Sequence, residues 1–135
     1  MLFRSVKPLL HAKKAVDIKA VSHITGGGFY ENIPRMLPKG LSAKIDKQSI
    51  PRLPIFTLMQ AQGRITEHDM YNTFNMGVGM CIAVAKEDTD RALSAFKEAG
   101  EAAFVMGTVI RGDCGVEPVS YTHLDVYKRQ PFQAL

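Results

Sequence analysis

The 135-residue chain is 46% hydrophobic and 22% charged, the balance of an ordinary folded domain and not of a disordered or fibrous chain. Its net charge of +4 comes from scattered Lys and Arg, and the densest basic pair, Lys13-Lys14, is too small a cluster for a nucleic-acid surface. No stretch approaches the roughly 20 apolar residues of a membrane span, and no long apolar region follows Met1 as in a signal peptide. Along the chain, Val6 to Val16 reads as a short helix with Leu9, Leu10 and Ala15 apolar, and Ile18 to Ile24 as a strand. Gly26, Gly27 and Gly28 then form a turn. Phe29, Ile33 and Leu37 share one helical face, but Pro34 either kinks that helix or delays its start. Leu41, Ala43 and Ile45 alternate with Ser42 and Lys44, the pattern of a half-buried strand. After a Pro-rich connection from Ser49 to Pro54, a helix over Ile55 to Gln62 is expected to stop at Gly63. Thr66 with Asp69 three residues on marks the start of another, running to about Tyr71. The run "GVGMCIAVA" from Gly77 is apolar at both parities, as in a strand covered on both faces. Glu87 to Ala99 reads as a helix with Ala92, Leu93 and Phe96 as its apolar stripe and Gly100 as its C-terminal cap. Ala102 to Arg111 reads as a strand, Gly112 to Gly115 as a turn, and Val116 to Val119 as the start of a last strand. The interleaving predicts an α+β fold, a mixed sheet with helices packed on it.

Cys81 and Cys114 are far apart and show no metal-ligand spacing; Cys81 in its apolar run reads as a buried free thiol, which favours a reducing compartment. Met36, Met59, Met70, Met76, Met80 and Met106 read as core filler. Both ends depart from the pattern. "MLFRS" at the start and "LDVYKRQ" within the last residues resemble translated sequencing adapters. Residues 1–5 and 120–135 are therefore expected to stand outside the domain, a disordered native tail being the alternative for the second.

Two stretches could carry chemistry. In "SHITGGGFYENIPRMLP", Ser22 to Pro38, three consecutive glycines separate a strand from a helix. Glycine loses the most freedom on ordering, so such a turn either reverses the chain sharply or lets backbone approach a ligand such as phosphate. His23 could donate a hydrogen bond to phosphate or move a proton, or it could simply pack at a strand end. Asn32 and Arg35 lie three apart on one helix face; Arg35 could grip an anion or form an exposed salt bridge. In "TFNMGVGM", Thr73 to Met80, Asn75 and Gly77 precede the buried strand, and Gly77 and Gly79 suggest close backbone packing. There is no Walker loop, Ser-His-Asp order or metal-ligand cluster. Glu67, Asp69, His68 and His11 read as surface residues.

"HITGGGFYENIPRMLP" followed by "TFNMGVGM" closely resembles aminoimidazole ribonucleotide synthetase, also called phosphoribosylformylglycinamidine cyclo-ligase, over about Val6 to Val119 of its C-terminal domain; "EAAFVMGTVIRG" is similar to that family's closing strand. The resemblance implies ATP- and magnesium-dependent closure of the imidazole ring of formylglycinamidine ribonucleotide in purine synthesis, in the cytoplasm. It implies that His23 is catalytic and that Gly26, Gly27, Gly28, Asn32, Arg35, Asn75 and Gly77 bind substrate or phosphate. It further implies a homodimer, with no nucleic-acid or membrane partner. In that family an N-terminal domain supplies the acidic magnesium ligands and most ATP contacts. Neither that domain nor the Ser- and Gly-rich start of the C-terminal one is among these residues, so the chain alone is expected to be inactive. The alternative is a non-catalytic α/β domain for nucleotide binding or subunit contact.

Overall fold

The computed structural model of the chain describes residues 2–113, 115–119 and 132–134. Five α-helices, α1 (Leu2–Ala15), α2 (Gly28–Asn32), α3 (Pro54–Gly63), α4 (Glu67–Thr73) and α5 (Thr89–Glu98), accompany strands β1 (Ile18–His23), β2 (Leu41–Asp46), β3 (Met80–Ala85), β4 (Gly107–Arg111), β5 (Val116–Val119) and β6 (Phe132–Ala134). The strands form one mixed sheet in the order β1-β3-β6-β4-β2-β5; β5 runs parallel to β2 and the other pairs are antiparallel. This is the α+β architecture that the interleaved pattern predicts.

β3 explains the layering. Its four central residues, Cys81, Ile82, Ala83 and Val84, are all buried, so both faces of the strand are covered. Cys81 belongs to a core with Phe29, Ile33, Ala43, Ile45, Tyr71 and Met106. Ile82 and Val84 belong to a second core with Val16 and Ala92, against which Leu9, Met80 and Phe96 pack. A strand residue's neighbours point to opposite faces, so these are the two sides of the sheet. α1 and α5 pair on one side; α2 and α4 pair on the other.

Several elements differ from expectation for local reasons. α1 starts at Leu2, so Pro8 lies inside it, and the buried side of the helix carries Pro8 and Ala12 with Leu9 beside them; Leu10 and Ala15 are exposed. Pro34 divides the stretch after the glycines as its ring requires: α2 ends at Asn32 and a short 3-10 turn spans Pro34–Met36. Gly63 still belongs to α3, and the left-handed residue beyond it is Arg64 (φ 49°). Residues 101–106 belong to no strand, although the Met106 carbonyl accepts from the Asp46 N–H, so the strand expected from Ala102 begins only at Gly107. There the backbone of β2 comes so near that a Cβ would lie 2.1 Å from the Lys44 carbonyl oxygen. Ser42, expected on the solvent side, is 2% exposed because its hydroxyl accepts from the Gly115 N–H. α5 ends in a Schellman motif: the Gly100 N–H bonds the Lys97 carbonyl, the Glu101 N–H bonds the Phe96 carbonyl, and Gly100 takes φ 78°. Cys114 and most of the C-terminal segment lie outside the described residues. The three described there, Phe132–Ala134, pair with both β3 and β4.

Candidate functional site

β1 and β3 run antiparallel, so the end of β1 meets the start of β3: His23 stands opposite Met80, and the Ile24 N–H donates to the Gly79 carbonyl at 3.1 Å. The glycine turn leaves from the first position and the Asn75–Gly79 segment arrives at the second. The sheet thereby brings the two motifs, about fifty residues apart in sequence, to one of its ends.

The three glycines answer to different demands. Gly27 caps α2 with φ 92°, and a Cβ there would run into the Glu31 side chain. Gly28 has φ 52°, and a Cβ would lie 2.0 Å from the Tyr71 carbonyl oxygen, so it is the point where α2 seats against α4. Phe29 and Tyr71 complete that contact edge to face at 5.5 Å. Gly26 differs from both: it is exposed, its φ is not in the left-handed region, and nothing lies within 4 Å of a Cβ built on it. Fold geometry thus accounts for Gly27 and Gly28 and leaves open space at Gly26.

Asn32 is 4% exposed and braces the turn from inside. Its amide nitrogen donates to the carbonyls of Gly28 at 2.7 Å and Gly26 at 3.2 Å, while its own carbonyl accepts from the Ser22 hydroxyl at 2.8 Å. Its side-chain oxygen accepts from Arg35 at 3.3 Å. Arg35 also meets Glu31 at 3.4 Å, with two-thirds of its side chain exposed. The guanidinium is thus oriented but not enclosed. His23 is exposed at the strand end.

In the second motif the Asn75 carboxamide accepts from the Gly77 N–H at 3.0 Å, and the Val78 N–H closes on the Asn75 carbonyl at 2.8 Å. Met76 and Gly77, the two central residues, both have positive φ, at 50° and 89°. That is the φ pattern of a type I′ turn, in which a methionine is uncommon. Asn75 and Gly77 therefore act as a matched pair, the side chain of one fixing the backbone of the other.

Sequence reasoning passed over several participants. Tyr71 supplies the backbone on which Gly28 rests, and Met76 carries the unusual φ; only the "NMG" spelling of the turn signals the latter. His68, read as a surface residue, is exposed, and its ring also stacks on Tyr30 with centroids 4.6 Å apart. Lys47, at the end of β2, meets Glu67 at 2.8 Å. Burial raises the pKa of both Tyr30 and Tyr71, so these phenols stay protonated through the neutral range. Among the described residues no three His, Cys, Asp or Glu side chains stand together so as to hold a metal ion, and no helix is long and apolar enough to cross a membrane.

The mixed sheet with helices on both faces, ending in a braced glycine turn beside an Asx-closed turn, is an α+β domain in type. The C-terminal domain of AIR synthase related proteins matches residues 3–117, and the chain belongs to that family. It is 56% identical over 108 residues to the phosphoribosylformylglycinamidine cyclo-ligase of Staphylococcus epidermidis, covering 80% of this chain and 32% of that protein. It is 52% identical over 112 residues to the enzyme of the same name from Lachnospira eligens, covering 82% of this chain and 33% of that protein. For the Nitrosococcus oceani enzyme of that name the figures are 48% over 105 residues, 78% and 29%. The chain thus spans about a third of the length of the curated relatives it matches.

Proposed function

We propose that residues 6–119 work as the C-terminal part of an ATP-dependent cyclo-ligase that closes the imidazole ring of formylglycinamidine ribonucleotide, giving aminoimidazole ribonucleotide, ADP and phosphate. The observation that carries this is the convergence of the two motifs at one end of the sheet in a chain half-identical to proteins bearing that enzyme's name. The family match covers residues 3–117 and so stops short of β6, which nevertheless pairs with β3 and β4.

Within that reading the residues take distinct tasks. Space at Gly26, with exposed His23 and Arg35 nearby in sequence, fits a phosphate-bearing ligand. Arg35, held by Glu31 and Asn32, offers the positive charge, and the Gly26 backbone offers close approach. His23 donates a hydrogen bond or a proton to the reacting amide end of the substrate. Gly27, Gly28 and Asn32 hold the turn in shape, and Asn75 and Gly77 fix the facing turn. ATP supplies the phosphoryl group that turns the formyl-derived amide oxygen into a leaving group. As the family resemblance implies, the magnesium ligands and most ATP contacts come from an N-terminal domain outside the matched residues. That part also forms the homodimer, and the whole works in the cytoplasm.

The test is a chimera in which residues 6–119 replace the matched segment of the Staphylococcus epidermidis enzyme. Turnover of formylglycinamidine ribonucleotide near the parent's rate is expected. A folded chimera with no turnover would overturn the reading. In the active chimera, His23→Ala should lower turnover by roughly 10²-fold, the usual loss for a positioned acid or donor. Normal turnover with a lowered melting temperature would assign His23 to packing instead.

A further inference from the structure

The two turns of the candidate site are tied to each other at both of their ends. At the sheet, the Ile24 N–H donates to the Gly79 carbonyl at 3.1 Å, joining the start of the glycine turn to the end of the Asn75 turn. On the helical side, Gly28 ends the glycine turn and rests on the Tyr71 carbonyl, so near that a Cβ would lie 2.0 Å from its oxygen. From Tyr71, α4 continues to Thr73, and the Phe74 N–H bonds the Met70 carbonyl at 2.9 Å before the chain reaches Asn75. Residues 24–28 and 71–79 thus close a ring of backbone. Ile24, Phe29, Tyr71 and Val78 around it are all buried in one core.

Few bonds hold each turn shut. The glycine turn closes through the Gly28 N–H on the Thr25 carbonyl at 3.1 Å, with Asn32 as its brace. The facing turn closes through the Gly77 and Val78 N–H groups, both on Asn75. It also carries Met76 at φ 50°, a conformation that is costly for a residue with a side chain. Such a residue stays there only where its surroundings hold it. Here the hold is the Asn75 carboxamide together with the core, against which the Met76 side chain packs. Phe29 and Tyr71, which meet beside the Gly28 seat, belong to that same core.

We propose that the two turns open and close as one cooperative unit, so that a change made at either is felt at the other. Opening the glycine turn takes Gly28 off its seat and loosens the core that holds Met76. Opening the Asn75 turn frees Gly79, and with it the bond from Ile24. A phosphate-bearing ligand that orders the glycine turn therefore also orders the Asn75 turn without touching it. That consequence rests on the reading of the two motifs as one binding site. The coupling itself is read without ligand or turnover, so the two can fail separately.

The experiment is native-state amide exchange on the full chain and on two variants, each altered in one turn only. Asn75→Ala removes the acceptor of the Gly77 N–H, and Gly27→Ala places a side chain at φ 92° in the other turn. In Asn75→Ala the Val78 amide should exchange about fivefold faster, the effect of one lost hydrogen bond, and the Gly28 amide at least about twofold faster. In Gly27→Ala the Gly28 amide should speed up by about fivefold or more and the Val78 amide by at least about twofold, because coupling is reciprocal. The Val16 and Gly112 amides, bonded to the Ala12 and Gly40 carbonyls in other parts of the fold, should keep their rates. If Gly27→Ala does not fold, Asn75→Ala, whose lost bond lies in an exposed turn, decides alone. An Asn75→Ala chain in which Gly28 keeps its rate would overturn the coupling, whatever happens at Val78. So would an equal rise at Val16 and Gly112, which marks a general loosening of the domain.

Discussion

Gly26 and Gly28 are neighbours by two positions and opposites by environment. Gly28→Ala forces a Cβ onto the Tyr71 carbonyl at φ 52°, against backbone that cannot move aside without shifting α4. A loss of about 3 kcal/mol or more is expected in denaturant unfolding. Gly26→Ala meets no atom and should leave stability within about 0.5 kcal/mol; in the active chimera it should still lower turnover, because it fills the open space at that backbone. A Gly26→Ala chimera with full turnover would show that no ligand approaches that backbone. Asn32→Ala strips two carbonyls and Arg35 of their partner in a buried position, and about 1–3 kcal/mol should go with it. Cys81 is wholly buried, and burial pushes its thiol up to about 12, so alkylation of the native chain at pH 8 should proceed only as fast as the chain opens. Rapid labelling without unfolding would show that the core around β3 is open.

At the scale of elements, helix ends are the places where sequence signals and structure coincide. The Thr66 hydroxyl accepts from the Asp69 N–H at 3.1 Å and donates to the Asp69 carboxylate at 2.8 Å. The Thr66 bond, with the neighbouring His68, lowers the Asp69 pKa below its usual range. A lowered folded pKa gives a contribution present above the unfolded value and lost as pH falls through the folded one. Thr66→Ala should cost about 1 kcal/mol at neutral pH, and the difference between the two chains should shrink on acidification below the ordinary aspartate range. A gap that widens in acid would contradict the capping account. α3 behaves differently. It carries exposed Leu53, Ile55 and Leu58 around its start and no fully buried residue; Pro54 sets its first turn, and Phe56, 6.3 Å from Phe74 between ring centroids, ties it to the rest of the domain. Its C-terminus shows the limit of a one-letter rule: Gly63 marks the stop, yet Arg64 adopts the left-handed conformation.

For the whole molecule, β6 joins two halves of the sheet, β1-β3 and β4-β2-β5, that share no strand pair with each other among the described residues. Ending the chain at Val119 removes that bridge. The melting temperature of the isolated chain should fall by about 4–8 °C, the shift of roughly 1 kcal/mol in a small domain. An unchanged melting temperature would show that the Phe132–Ala134 pairing adds nothing to stability.

The sequence by itself determined the elements and their class. The two-parity apolar run of β3, the Thr66 start and the Gly100 cap are local rules of backbone and burial, legible without any neighbour; the end of α2 before Pro34, in place of the kink or late start expected there, was not. It also determined the family, through the wording of two motifs. Only the tertiary structure decided what the residues of those motifs do. Asn32 and Arg35 look equivalent as neighbours on one helix face, yet one is buried against the turn and the other reaches solvent, because α2 rests on α4 through Gly28. Residues 102–106 look like strand in composition yet belong to none, because strand pairing depends on what lies alongside and not on propensity. The meeting of the glycine turn with the Asn75 turn is likewise a product of antiparallel register between β1 and β3, a long-range contact that no local pattern encodes.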